Sequence, residues 1–223
     1  MADPLPTQPA TPSAPPPPAA QAPGIVQAFV GVLTKPASFY ASVRDAGGFG
    51  SPVVFALVLG IVAGVISAAY AVLGIGAAGA GPMGGAMVGF SAIIATPIVA
   101  VIGCFVGGAI VHVVSLIAGG KGTYEQSVRV AGYAAATMPI SALLSFVPFL
   151  QFVVFLYGLY LAAQGIIAIH AANRTKTYVV TGVLAVLVVV LGIMATVAGH
   201  AMQQVGSEMQ HQQDLQRVRQ GQR

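Results

Sequence analysis

The chain has 223 residues and a formal net charge of +4. Charged side chains make up 6% of the chain, whereas a soluble domain carries them at about a quarter of its positions. The mean hydropathy of the chain is +0.87. Between Ala46 and Asn173, the Asp, Glu, Lys and Arg side chains are Lys121, Glu125 and Arg129. This composition excludes a soluble globular protein and predicts an all-α fold, a polytopic membrane helical bundle.

The N-terminal segment, residues 1–23, contains nine of the chain's 15 prolines among Ala, Thr, Ser and Gln. This composition cannot form a packed core, so we expect a disordered arm. The segment lacks the basic start and apolar centre of a signal peptide, and the first crossing is therefore expected to direct membrane insertion. An alternative role for the arm is to dock in a partner's groove in the polyproline conformation.

Residues 24–50 carry apolar side chains at helical spacing, interrupted by Lys35 and Pro36 and followed by Arg44. The apolar positions are Ile25, Val26, Phe29, Val30, Leu33, Phe39, Tyr40 and Val43. Two short amphipathic helices with an aromatic face and basic residues are typical of the headgroup boundary, so we predict an interfacial segment on the cytoplasmic surface. The alternative is that the same side chains pack beneath the bundle.

The apolar blocks that follow predict five transmembrane helices, because each crossing needs roughly 20 apolar residues. Their predicted limits are 53–73, 88–117, 130–148, 151–170 and 178–198. The uncharged stretch from 130 to 169 would make a helix of about 60 Å, twice the hydrocarbon thickness, so it must turn back. The predicted turn is Pro148-Phe149-Leu150-Gln151, and residues 200–223 form a polar, Gln-rich tail, either helix or coil.

Lys and Arg set the predicted orientation, because basic flanks stay on the cytoplasmic side. If the N-terminus is inside, the cytoplasmic flanks hold Lys35, Arg44, Lys121, Arg129, Arg174 and Lys176. The opposite loops, at 74–87 and 148–151, hold no basic residue. The sequence therefore predicts a cytoplasmic N-terminus and a non-cytoplasmic C-terminus.

The order of several short motifs is similar to that of a known family. The loop before the third crossing reads Gly122-Thr-Tyr124-Glu125-Gln-Ser127-Val-Arg129-Val and is followed by Gly132-Tyr133 and Pro139. An earlier segment reads Leu33-Thr-Lys35-Pro36-x-x-Phe39-Tyr40, and the fourth crossing ends in His170 before Arg174. From Val26 to Val190, this order resembles the Yip domain family of five-span membrane proteins.

Eukaryotic members of that family are associated with Rab-type small GTPases and vesicle traffic. The resemblance therefore implies a non-enzymatic protein that organises membrane or binds partners through its cytoplasmic face. The acidic-aromatic-Gly-Pro segment typical of the eukaryotic N-terminal region is absent here. Its absence favours a bacterial member located in the inner membrane.

The candidate interaction residues are Tyr124, Glu125 and Arg129 in the cytoplasmic loop, with Tyr133 and Pro139 shaping the adjoining helix. Glu125 and Arg129 also stand four residues apart, in the order that favours a helix-stabilising ion pair worth a few tenths of a kcal/mol. The expected partners are the lipid bilayer, proteins on the cytoplasmic side and a second copy of the chain. No nucleic acid, cofactor, metal or catalytic residue is predicted.

Small residues in the first two crossings indicate close helix packing. Gly60 and Gly64 continue a ridge of small residues in the first crossing, and Gly103 and Gly107 are the small residues of the second. The alternative to packing within the bundle is that these faces form a homodimer. The string Gly74-x-Gly76-x-x-Gly79 lacks the strand and helix of a dinucleotide site and is interpreted as a flexible loop.

One face of the second crossing carries Cys104, Gly108 and His112. A single Cys and a single His do not make a metal site, so His112 is interpreted as a hydrogen-bonding residue at a helix interface.

Polar side chains within the membrane are concentrated in the third and fourth crossings. Tyr133, Thr137 and Ser141 are spaced by four and predict one continuous stripe; the fourth crossing offers Tyr157, Tyr160 and Gln164. We expect hydrogen bonds between the two sets to hold this hairpin together. The alternative is a polar path, which would make the protein a small-solute or ion permease.

Overall fold

The structure, a computed structural model, describes residues 23–75 and 81–221. Within these ranges the chain forms the helices α1 (Ile25–Thr34), α2 (Pro36–Ser42), α3 (Gly50–Val72), α4 (Gly81–Ile117), α5 (Tyr124–Ala134), α6 (Thr137–Leu143), α7 (Pro148–His170) and α8 (Arg174–Gly221). The described residues contain no strand, which confirms the all-α prediction. Apart from Pro23, the predicted disordered arm lies outside the described residues, as do Gly76 and Gly79 of the glycine string.

Four described helices are long and apolar enough to cross a bilayer. Their spans are Gly50–Val72, Gly89–Ile117, Phe149–His170 and Arg174–Met194. They correspond to the first, second, fourth and fifth predicted crossings. The remaining one, 130–148, is divided between α5 and α6, whose lengths are only about 16 and 10 Å. The third predicted crossing, and with it the total of five, is therefore not confirmed by helix length.

Pro139 explains why the predicted third crossing is broken. A proline ring inside a helix clashes with the carbonyl four residues earlier, which here belongs to Ala135. The amides of Ala135 and Ala136 bond carbonyls three residues back instead, at 3.3 and 3.1 Å. The hydroxyl of Thr137 then donates to the carbonyl of Ala134 at 3.0 Å. Local hydrogen bonds therefore pair the backbone groups at the break.

The predicted turn at 148–151 is wrong. Those residues begin α7, and the chain reverses over Leu144 to Val147. Pro148 lies in the first turn of α7, where proline fits because no backbone N–H is needed there. Gln151 bonds Ser141 of α6 twice, at 2.5 and 2.9 Å, and so holds the reversal closed.

Glycines bring α3 and α4 into backbone contact. A Cβ added at Gly60 would lie 2.8 Å from both the Cβ of Ala100 and the Cα of Pro97. One added at Gly64 would lie 2.9 Å from the carbonyl oxygen of Ala92. The ridge predicted in the first crossing is thus a contact within the bundle. Gly103 differs, because a Cβ there would have no heavy atom within 4 Å.

One end of the bundle gathers chain segments that are distant in sequence, and we call it the basic end (residues 44–48, 118–129 and 170–177). The amide of Gly48 donates to Glu125 at 2.6 Å. The amide of Lys121 donates to the carbonyl of His170, and that of Asn173 to the carbonyl of Ala118, both at 3.1 Å. The surface loops predicted to share one side of the membrane therefore lie together.

Helices α1 and α2 lie within the segment predicted to be interfacial, and one face of them packs on the bundle. Val32 and Tyr40 are fully buried, and the Tyr40 hydroxyl donates to the carbonyl of Val130 at 3.2 Å. Their other face stays open, with Val26 76% exposed. The buried face agrees with the alternative that these side chains pack beneath the bundle. The position of α1 and α2 at the lipid boundary remains a prediction.

The α3–α4 contact predicts a stability difference between two Gly→Ala variants. Gly60→Ala should lower the free energy of unfolding by about 1 to 3 kcal/mol relative to Gly182→Ala, because its methyl group overlaps fixed atoms of α4. A Cβ at Gly182 has no heavy atom within 4 Å, so this control gains the same helix propensity without a clash. Denaturant unfolding of the purified protein measures both, and equal stabilities would contradict the close contact.

Candidate functional site

The predicted interaction loop leads into a well-capped helix. Gly119 ends α4 with a φ of 79°, a conformation that glycine adopts without strain. Thr123 caps α5 by accepting from the amide of Gln126 at 3.3 Å, while the Gln126 side chain accepts from the amide of Thr123 at 3.0 Å. This capping box fixes where α5 begins and thereby positions the side chains that follow.

Arg129 joins two parts of the chain at the basic end, the α2–α3 loop and α5. Only 2% of its side chain is exposed. One guanidinium nitrogen donates to the carbonyl of Arg44 and another to Glu125, each at 3.0 Å. Glu125 also accepts the amide of Gly48, so the predicted i,i+4 pair additionally fastens the α2–α3 loop to α5. Arg129 is therefore a buried structural link.

Tyr133 and Pro139 are also internal. Tyr133 is 2% exposed, shares a 2.8 Å hydrogen bond with Ser51, and packs its ring against Phe39 and Phe55 at centroid distances of 4.9 and 5.1 Å. Pro139 is buried in α6. Their predicted role in shaping the adjoining helix stays a prediction.

Tyr124 and Glu125 reach the surface. Tyr124 is 39% exposed, and its hydroxyl donates to the carbonyl of Phe105 at 2.9 Å. The Glu125 side chain is 36% exposed beside its bonds to Arg129 and Gly48. Of the five predicted residues, these two have side chains that reach solvent.

A buried hydroxyl shared by two histidines was not predicted from the sequence. Ser127 Oγ lies 3.2 Å from both His112 Nδ1 and His170 Nε2, and 3.2 Å from the carbonyl of Thr123. His112 therefore bonds across a helix interface, as interpreted from the sequence. A Cβ at Gly122 would lie 1.8 Å from His170 Nδ1, so only glycine fits beside the ring. The sequence offered one signal for this cluster: both histidines stand near the ends of helices that contact the loop before α5.

The predicted polar stripe is divided by the break at Ala135 and Ala136, and the prediction of a continuous stripe is wrong. Tyr133 lines a small pocket of about 280 Å³ beside the start of α1, whereas Thr137 and Ser141 line a separate cavity of about 760 Å³. A permease path along these three hydroxyls is not formed.

The expected hydrogen bonds between the third and fourth crossings are largely replaced by bonds to other helices. Tyr157 donates to the carbonyl of Leu33 in α1. Gln164 donates to Tyr178 in α8 at 2.8 Å. The Ser141–Gln151 pair is the expected kind of link between α6 and α7. Among the residues that the structure describes, no group of three or more His, Cys, Asp or Glu side chains is placed to hold a metal ion.

Replacing Arg129 tests its role as a link. Arg129→Gln should lower the free energy of unfolding by about 1 to 3 kcal/mol, because the Arg44 carbonyl and Glu125 lose their charged donor. Hydrogen exchange of residues 44–48 should accelerate. Lys121→Gln removes an exposed charge at the same end and serves as the control. Unchanged exchange at 44–48 in Arg129→Gln would show that the loop is held by other contacts.

Tyr40 predicts a loss of stability at alkaline pH. Burial raises the pKa of its hydroxyl above the usual value of 10.0. A raised pKa in the folded state means that the stabilisation is complete below the unfolded pKa and is lost as the pH rises above it. Wild type should therefore lose stability above pH 10 faster than Tyr40→Phe, which has no ionisable hydroxyl there. Parallel stability curves across this range would contradict the burial of Tyr40.

The comparisons with known proteins agree with the architecture. A family model described as the Yip1 domain matches residues 30–196, which include α2 to α7 and most of the apolar part of α8. No curated protein and no solved structure matches the chain. Since the matched region covers well over half of the sequence, the chain belongs to the Yip1 domain family.

Proposed function

We propose that this Yip1 domain protein is a non-enzymatic, five-span membrane protein of the bacterial inner membrane that binds partners through a basic cytoplasmic face. The observation that carries the proposal is the charge at the basic end. Four cations there are solvent-exposed: Arg44, Lys121, Arg174 and Lys176. Arg129 is neutralised by Glu125, and Asp45 is the other carboxylate of this end, so the exposed surface is positive.

The contacts of α5 and α6 support a fifth crossing despite the break. Gly132 packs on Pro52 at the start of α3, since a Cβ there would lie 2.7 Å from the Cβ of Pro52. Near the end of α3, the Tyr70 hydroxyl donates to the carbonyl of Leu143 at 3.0 Å. Residues 52–70 of α3 rise about 27 Å, close to the hydrocarbon thickness of about 30 Å.

A fifth crossing gives the basic end its orientation. The chain would enter α3 from this end, return to it through α4, leave again through α5–α6 and return through α7. All exposed cations of the basic end then share one side of the membrane. The positive-inside rule makes that side cytoplasmic, with α1 and α2 beside it and the C-terminus opposite.

The chemistry of this surface favours an acidic partner. Arg174 and Lys176 stand on the first turn of α8, and the Arg174 guanidinium lies 5.9 Å from the centre of the Tyr178 ring. Lys121 adjoins Tyr124, whose ring is half-exposed. Exposed cations beside aromatic rings speed and orient association with a negatively charged protein surface.

Site-specific crosslinking tests this surface. A photoreactive amino acid at Lys121 should give a discrete adduct in native membranes, whereas the same residue at Phe146, exposed at the opposite end, should not. Lys176→Glu should reduce the Lys121 adduct, and Lys176→Arg, which keeps the charge, should preserve it. Equal adducts at Lys121 and Phe146, or insensitivity to Lys176→Glu, would contradict the proposal.

A further inference from the structure

A large cavity lies among the helices, away from the basic end. Its volume is about 760 Å³, and its lining comes from α4, α5, α6, α7 and α8 and the α5–α6 break. This volume falls within the range of about 300 to 1,000 Å³ found for sites that enclose organic ligands. Residues on both sides of the α5–α6 break, from Ala131 to Ser141, contribute to its wall.

The cavity wall is almost entirely apolar. Small residues such as Gly103, Gly107 and Gly158 open it, and Phe152, Phe155 and Leu159 supply most of the bulky surface. Water is not stabilised in a space with such walls. Lining residues such as Val99 and Phe152 are exposed, so the cavity opens at the surface of the bundle, and its apolar wall favours a molecule that presents methylene groups to it.

The polar side chains lie at one end of the cavity. Ser141 and Gln151 line it there and bond each other, and Gln151 stands in the first turn of α7. Thr137 lies one turn before Ser141. The Gln151 amide has a second N–H beyond the one that it donates to the Ser141 carbonyl. The site therefore combines a long apolar interior with a small neutral polar end.

We infer that this cavity is a binding site for one acyl chain of a membrane lipid, with the lipid's glycerol ester region beside Ser141 and Gln151. Three observations select this ligand. The cavity lies between membrane-crossing helices, where lipid is the most abundant amphiphile. Its interior offers no charge to an ion or a polar solute. Its polar end carries a neutral amide donor, which suits an ester carbonyl, and lies near the end of a span, where lipid esters are found.

A photoreactive lipid tests the site in the full-length protein. The purified chain in a nonionic detergent is titrated with a phosphatidylethanolamine that carries a diazirine midway along one acyl chain. After irradiation, labelled peptides are identified by mass spectrometry. We expect saturable labelling of α4 around Gly103 and α7 around Gly158, reduced by the same lipid without the diazirine.

Two matched variants separate the cavity from the outer lipid surface. A side chain at Gly103 meets no heavy atom within 4 Å of its Cβ and projects into the cavity, so Gly103→Leu should reduce the labelling about tenfold. Gly182→Leu is equally free of clashes on an exposed face of α8 outside the cavity, and should leave the labelling unchanged.

Folding of each variant is checked by its elution and melting temperature. Labelling that rises in proportion to the probe without saturation would overturn the inference, as would full labelling in a folded Gly103→Leu. If Gly103→Leu does not fold, Gly158→Leu on the opposite wall replaces it, because a Cβ there meets Thr137 at an ordinary distance of 3.7 Å. The saturation and competition of the wild type decide the question independently of either variant.

Discussion

Helices surrounded by lipid gain little by hiding apolar side chains from each other, so close backbone contact and a few hydrogen bonds must hold this bundle together. Glycine provides the close contact at Gly60 and Gly64 against α4, at Gly108 against Val128, and at Gly165 against Val130. Each contact joins a different pair of helices. Together they place α3, α4, α5 and α7 around the loop that begins α5.

That arrangement explains the contacts of the buried polar groups. Arg129 and Ser127 lie on α5 at the level where its backbone approaches α4 and α7. The guanidinium can therefore reach the Arg44 carbonyl, and the serine hydroxyl can reach both His112 and His170. These groups order the basic end from within and leave exposed cations on its surface. The buried polar groups hold the basic end together, and the exposed cations form the surface proposed to bind a partner. This separation links the fold to the proposed function.

Much of the fold is readable from the sequence, because apolar block length and helix-breaking residues carry local information. The four long spans follow from their length alone, and the capping box at Thr123 fixes the start of α5. The effect of proline was harder to predict. α4 continues through Pro97, whereas Pro139 coincides with a break. Neighbouring helices decide whether a freed carbonyl is accommodated, and this information is not local.

The sequence predicted local features of the α5 segment, but several of its contacts depend on distant residues. The i,i+4 spacing predicted the Glu125–Arg129 pair, and the structure contains it. Nothing near Arg129 in the sequence indicates that it bonds the carbonyl of Arg44, 85 residues away. The cavity was equally hidden, because its wall combines residues of α4 to α8 that are distant in sequence.

The central claim is that α5 and α6 together cross the membrane. The most direct test is whether the number of crossings between Lys121 and Glu208 is odd or even. In a Cys104→Ala background, single cysteines at Lys121 and Glu208 are treated with a membrane-impermeant maleimide on intact cells. Both positions are exposed on the chain. The account predicts labelling at position 208 and labelling at position 121 only after the membrane is opened. Equal labelling of the two positions in intact cells would contradict it, because four crossings place both on the same side.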